Sequence, residues 1–303
     1  MIEDKISVQS NPVYDIACVG NYTKDTIISP DGVRSVDGGA MNYAAHAAVA
    51  TGRKVAVVTR LAQEDYSRVV EPLEKIGVEC LVTITPQSTC LQLEYPTQDP
   101  DIRHLSVTST AGSITVDQVQ VLQCRASIIG ASFRGEVGMD TIKALRLRCG
   151  LLAADAQGFA RIVEGQKLTF HPWETMPDVL LLLDVFKADL KEAEFLTGTG
   201  DLYKSAQIFA GYGPREVLIT HQEGLLVYAE SRFYEAPFHA RRMNGRSGRG
   251  DTCTGAYVAK RLSATVDDAT RWAAALTSLK MENEGPFKRK PSEIMDLIEQ
   301  KYR

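Results

Sequence analysis

Short apolar runs alternate with helix-forming stretches along almost the whole of this 303-residue chain, and that rhythm admits few architectures. Tyr14 to Gly20 (YDIACVG), Lys54 to Thr59 (KVAVVT), Ala126 to Gly130, Leu151 to Asp155 and Glu216 to Thr220 (EVLIT) are apolar on both faces. Strands buried on both sides of a parallel sheet read this way. Between them fall helical patterns: Ala40 to about Thr51, stopped by Gly52; Asp65 to Ile76, ended by Gly77; Met139 to Arg148; Leu190 to Leu196; Leu202 to Phe209; and, late in the chain, Asp267 to Met281 and Ser292 to Tyr302. Strand-helix alternation over this length predicts an α/β fold with a central, mostly parallel sheet flanked by helices.

Two stretches break the rhythm. Thr26 to Val36 turns at Pro30-Asp31-Gly32, and Thr89 to Leu105 is interrupted by Pro96 to Asp101. Both read as hairpins outside the main sheet. Asn21 to Asp25 reads as a polar loop, and Met1 to Pro12 as a loose polar arm. With no Pro-, Gly- or Ser-rich linker and no internal repeat, we expect one domain over residues 1–303, with a small β appendage from about residues 26–37 and 89–106.

Composition narrows the function. A net charge of −4 gives no nucleic-acid or membrane surface, and no apolar run is long enough to span a bilayer. The polar N-terminus is not a signal peptide, so a cytoplasmic protein is expected. Six scattered cysteines without a C-x-x-C pair argue against a zinc site or a disulfide scaffold.

One stretch points to chemistry: Asn244-Gly245-Arg246-Ser247-Gly248-Arg249-Gly250-Asp251-Thr252-Cys253-Thr254-Gly255. It is a glycine-rich turn opening into a helix expected from Thr252 to about Leu262. Gly248 and Gly250 can take positive φ, so that N–H groups converge where the helix dipole is also positive. Such a turn binds anions, phosphate above all. Asp251 beside it can accept a proton from a hydroxyl that attacks a phosphoryl group. The alternative is that Asp251 merely caps the helix.

Four more places lie at strand ends or helix starts. Asp25 can bind vicinal hydroxyls, or be a solvated loop residue. Asp37-Gly38-Gly39-Ala40-Met41-Asn42-Tyr43 pairs two glycines with Asn42 and Tyr43 in the first helical turn; the alternative is a tight turn with a packed aromatic. Asp155 or Gln157 can bind a hydroxyl, although an Asx turn explains the stretch equally well. Asp189 and Glu192, following Lys187, can hold Mg²⁺ directly or through water, or form a capping box. No Ser/His/Asp set is evident, and neither a G-x-x-x-x-G-K-[ST] loop nor a G-x-G-x-x-G after the first strand is present.

In this order the motifs resemble the ribokinase/PfkB family of carbohydrate and nucleoside kinases, over about residues 13 to 290. The resemblance implies a ribokinase-like fold with a β lid, and an enzyme that transfers a phosphoryl group from ATP, with Mg²⁺, to a hydroxyl of a small polyhydroxylated substrate. It makes Asp251 the general base, and the backbone at Gly248, Arg249 and Gly250 the anion hole. Asp25, Gly38, Gly39, Asn42, Tyr43 and Gln157 would bind substrate. Lys187, Asp189, Thr220, Glu223, Gly224 and Asn283 would lie on the nucleotide side, with Glu192 and Asp189 at the metal. The lid commonly forms a dimer contact in this family, so a homodimer is possible.

The chain departs from the family pattern at Arg249 (usually Ala), at Gly245 (usually acidic) and in Thr220-His221-Gln222-Glu223-Gly224, which lacks a residue and a glycine. Gly-Arg-Gly-Asp-Thr-Cys, with Gly-Gly-Ala-Met-Asn-Tyr, Asp155-Ala156-Gln157-Gly158 and Lys280-Met281-Glu282-Asn283-Glu284-Gly285-Pro286-Phe287, is most similar to the myo-inositol kinase branch. A nucleoside, pentose or hexose kinase of the same family is the alternative, as is a catalytically silent nucleotide- or sugar-binding protein. A dehydrogenase is disfavoured by the missing dinucleotide fingerprint.

Overall fold

The computed structural model describes residues 13–97, 104–245 and 247–302. The expected N-terminal arm, the middle of the second hairpin and Arg246 lie outside them. In chain order the strands are β1 (Tyr14–Val19), β2 (Thr23–Ser29), β3 (Gly32–Asp37), β4 (Val55–Ala62), β5 (Glu79–Thr85), β6 (Thr89–Glu94), β7 (His104–Ser109) and β8 (Cys124–Ile129). They continue with β9 (Cys149–Asp155), β10 (Arg161–Glu164), β11 (Lys167–Phe170), β12 (Val185–Asp189), β13 (Glu216–Thr220), β14 (Gly224–Ala229) and β15 (Arg232–Pro237).

Nine strands form the body sheet, in the order β15-β14-β13-β12-β9-β8-β1-β4-β5. From β13 to β5 every pairing is parallel, while β14 and β15 add an antiparallel ribbon at one edge. The central strand β1 shows why the apolar runs are continuous. Ile16 and Cys18 join the core on one face, and Ala17 and Val19 join the core on the other. The first face is covered by the helices Ala40–Ala50, Arg249–Arg261 and Val266–Met281. These pack closely because facing residues are small: a Cβ on Gly255 would lie 2.6 Å from Ala44 Cα.

The appendage is a sheet of its own, ordered β10-β11-β7-β6-β2-β3. Two expectations need correcting here. The lid holds a third hairpin, β10–β11, which turns at Gly165 with φ of 64° and which the sequence pattern does not announce. Its strands are only four residues long, too short for a clear alternation. Phe170 at its end stacks on Phe195 of the body, with ring centroids 5.2 Å apart. Asp25, expected in a polar loop, lies on β2, paired with Val36 and Leu91 on the neighbouring strands. Most of the anticipated loop is buried (Asn21, Tyr22 and Thr23), because the chain passes between the two sheets at this point.

Polar contacts hold that crossing. Tyr22 Oη donates to Asp37 Oδ1 at 2.6 Å, and Arg68 reaches Tyr22 Oη at 2.9 Å, Asp37 at 3.2 Å and Asp65 at 2.5 Å. Ser88 Oγ, just before β6, donates to Asp65 Oδ2 at 2.6 Å. The chain passes into the lid before β2 and again before β6, and these contacts tie the two crossings to one end of the helix Tyr66–Lys75. All six cysteines are free, and among the described residues no helix is long and apolar enough to cross a membrane.

Candidate active site

The parallel strands end on one side of the body, where the loops after β9, β12 and β13 meet the lid. In open α/β sheets this is where ligands bind. A cleft of about 370 Å³ lies there. Body residues Gln157, Lys187, Asp189, Glu192, Thr220 and Ser247 to Asp251 line one wall. Across it stand Thr23, Asp25, Gly39, Tyr43 and the lid side chains Leu91, Leu93, Tyr95 and Leu105.

The glycine turn opens the helix Arg249–Arg261, three residues earlier than the sequence suggests. Gly248 is the N-cap, with φ of 73°, and no side chain caps this end. Asp251 is therefore not the cap. It sits in the first turn, where an acid gains from the helix dipole, with its carboxylate on the cleft. Burial raises its pKa, opposed by the nearby Lys187 ammonium and reinforced by Glu192. A carboxylate held toward neutrality is the better proton acceptor.

Gly250 does not take the positive φ expected of it; among the described residues of this turn only Gly248 does. Its lack of a side chain matters for space instead. A Cβ there would lie 2.5 Å from Lys187 Nζ. The Lys187 ammonium thus rests directly against the turn. It pairs with Asp155 Oδ2 at 2.9 Å and lies 4.0 Å from Glu192 Oε2. Burial alone would lower the lysine's pKa, but Asp155, Glu192 and Asp189 together raise it, so it stays charged.

Asp189 and Glu192 form a capping box. Glu192 N donates to Asp189 Oδ1 at 2.8 Å, and Asp189 N to Glu192 Oε2 at 2.9 Å. Arg161, from the unanticipated hairpin, takes Glu192 Oε1 at 2.8 Å. Both Glu192 oxygens therefore already accept a hydrogen bond, and Asp189 Oδ2 takes no part in the cap. Among the described residues no group of three or more His, Cys, Asp and Glu side chains is placed to hold a metal.

On the opposite wall, Gly38 and Gly39 clear space for polar groups. A Cβ on Gly38 would lie 2.5 Å from both Asp25 Oδ2 and Thr23 Oγ1, and Gly39 is the helix N-cap with φ of 93°. Asp25 Oδ1 and Tyr43 Oη are buried without a hydrogen-bond partner. A buried polar atom left unpaired costs about 1–3 kcal/mol, so an orphan pair at a cleft wall marks a place for a ligand. Burial pushes the Asp25 carboxyl up to about 6, with the charge of Asp37 adding to it and the Thr23 hydroxyl opposing it.

Thr220 Oγ1 is a third buried orphan, at the end of β13. Asn42 is buried in the same helical turn as Tyr43 but does not line the cleft. Glu223 and Gly224 do not reach it either. They close a tight ribbon in which His221 N donates to Gly224 O at 3.0 Å and Phe238 N to Glu223 O at 2.7 Å. Gly224 is glycine because a Cβ would lie 2.5 Å from Ala236 O. Asn283 packs behind Gly245 rather than on the wall. Thr23, Arg161 and the lid leucines line or support the cleft without carrying a motif, so the sequence reading misses them.

A parallel α/β body, a β lid over the strand ends and a carboxylate beside a helix N-terminus are the parts that a small-molecule kinase needs. Comparison with known proteins agrees. A pyrophosphate-dependent kinase in the ribokinase family, solved as its sulfate complex, superposes with a TM-score of 0.86 at 35% identity, covering 92% of this chain and 99% of that one. A pyrophosphate-dependent kinase of the same family in complex with a pyrophosphate analog and myo-inositol gives 0.86 at 34%, covering 93% and 99%. The cytidine kinase of Thermococcus kodakarensis is 23% identical over 253 residues, 81% of this chain and 87% of that protein. No family model matches the chain. At these identities and coverages the chain belongs to the ribokinase family, whose members are phosphotransferases acting on an alcohol group.

Proposed function

We propose that this enzyme phosphorylates a hydroxyl of a cyclitol-sized polyol, myo-inositol or a close analogue, with Asp251 as general base. The observation that carries this reading is the pairing of Asp251, in the first turn of its helix, with the orphan Asp25 Oδ1 and Tyr43 Oη across the same cleft. Asp25 accepts hydrogen bonds from two acceptor hydroxyls, and Tyr43 donates to a third. The leucines of β6 and β7 cover the apolar face of the ring. Asp251 takes the proton of the attacking hydroxyl while the turn at Gly248–Gly250 and Lys187 stabilise charge on the transferred phosphoryl. The similarity to a kinase solved with myo-inositol supports the acceptor class.

For the donor we place inorganic pyrophosphate ahead of ATP. Lys187 and the turn serve either, but of the segment expected to meet a nucleobase only Thr220, His221 and Gln222 line the cleft, while Glu223 and Gly224 are closed into the β14 ribbon. Arg249 also sets its guanidinium 5.9 Å from the Phe238 ring, adding positive charge on that side. Mg²⁺ would neutralise phosphate charge. Asp189 and Glu192 would face its waters, because their capping box and Arg161 engage most of their oxygens.

The test is turnover with Mg²⁺ and either donor against myo-inositol, ribose, fructose and cytidine. Pyrophosphate-driven phosphorylation of myo-inositol is expected. A nucleoside as the sole acceptor would overturn the acceptor class, and turnover with ATP alone would overturn the donor.

A further inference from the structure

Lys280 has no role in the scheme above, yet it is among the most buried charges in the protein, at 2% exposure. It belongs to the last turn of the helix Val266–Met281 and reaches back to the glycine turn. Its ammonium donates to Gly245 O at 2.7 Å and to Ser247 O, and lies 5.1 Å from the centroid of the Tyr43 ring. It therefore touches both the segment that opens the phosphoryl site and the aromatic that borders the acceptor.

We propose that Lys280 is a positioning residue of the phosphoryl site, holding the Ser247–Gly248 peptide so that the Gly248 N–H faces the cleft. The reason is peptide geometry. A trans peptide is planar, and its C=O and N–H point in opposite directions. Drawing Ser247 O toward Lys280 turns the N–H of Gly248 the other way, toward the cleft that Ser247 and Gly248 line. The same lysine charge supports the Tyr43 ring from one side. Gly248 supports it from another, since a Cβ at Gly248 would penetrate that ring. The ammonium thus bears on both the glycine turn and Tyr43.

The charges facing it are Asp251 and Arg249 on the helix Arg249–Arg261 and Glu284 just beyond its own helix, with Tyr43 on the helix Ala40–Ala50. Burial lowers its pKa to about 8, with Arg249 adding to the fall and Asp251 and Glu284 opposing it. The charged form therefore prevails below about pH 8 and is lost above it.

This inference rests on the kinase reading, and its test separates the two. Lys280→Met keeps the aliphatic stem, and Lys280→Ala leaves room for propylammonium, which replaces the atoms removed. In both variants kcat is expected to fall by at least about tenfold, with a smaller rise in acceptor KM from the lost support of Tyr43, because a backbone donor to the transition state is misplaced. Propylammonium should restore Lys280→Ala turnover saturably, whereas 1-propanol should not. The fall in kcat above pH 8 should disappear in Lys280→Met. Wild-type kcat in either variant, or a loss that propylammonium does not relieve, overturns the proposal. If Lys280→Ala does not fold, Lys280→Met decides through kcat and its pH profile. Should the wild type turn over no acceptor at all, the kinase reading fails by itself. Calorimetric affinity for inorganic pyrophosphate then decides the lysine, with a tenfold weakening in Lys280→Met expected and unchanged affinity overturning it.

Discussion

The two walls of the cleft weight buried polarity differently, although Thr220 Oγ1 on the body wall also lacks a partner. On the body wall, charges are largely paired with one another: Lys187 with Asp155, Glu192 with Arg161, and Asp189 with Glu192 through their reciprocal cap. Opposite them, Asp25 Oδ1 on the lid and Tyr43 Oη on the helix Ala40–Ala50 have no partner, and leucines of β6 and β7 line the same cleft. A paired network is set before any ligand arrives and suits a transition state whose charge must be met without reorganisation. Unpaired groups gain their partners only from a ligand, so they suit recognition. On the proposed scheme the body wall performs the chemistry, and the wall of Asp25 and Tyr43 selects the acceptor.

Substitutions should separate these roles. The largest effect is expected at Asp251. Asp251→Asn should cut kcat by roughly 10² to 10⁴ with donor affinity and melting temperature little changed. Near-wild-type turnover would falsify the base assignment. Next comes Asp25→Asn, where replacing a charged acceptor of two hydrogen bonds should lower acceptor kcat/KM by about 10- to 100-fold, mostly through KM. A fall in kcat equal to that for Asp251→Asn would erase the distinction between the walls.

A pH series sharpens the same point. The Asp25 carboxyl titrates at about 6, so acceptor binding should weaken as pH falls through that value. Above it the carboxylate is charged and binding levels off. Acceptor KM measured from pH 5 to 8 should show this limb in the wild type and lack it in Asp25→Asn. The smallest effect belongs to the crossing between the sheets. Arg68 is partly exposed, so Arg68→Ala should raise acceptor KM by no more than about fivefold and leave kcat alone, as partly exposed ion pairs contribute about 1 kcal/mol or less. A large fall in kcat would mean that the lid's attachment also sets the geometry of the body wall.

Much of this arrangement is legible in the residues themselves. Apolar runs such as YDIACVG and EVLIT mark strands buried on both faces, and Gly248 before Asp251 marks an anion-binding helix start. Less visible is the reason for each glycine. Gly250 reads as a residue needing positive φ, whereas its constraint is the lysine ammonium against its Cα. The β10–β11 hairpin escapes notice because four-residue strands carry too little alternation, and with it goes Arg161, which closes the Glu192 carboxylate.

By itself, the sequence determined which residues face inward and where the chain must turn. Those properties are local: side-chain periodicity and backbone freedom are written in neighbouring residues. Which buried charges would meet was decided by the tertiary structure alone. Lys280 and Gly245 are 35 residues apart, and Arg161 and Glu192 are 31 apart. No spacing rule connects such pairs. They meet because packed helices and crossing strands bring them together, and a buried charge persists only where that packing supplies its partner.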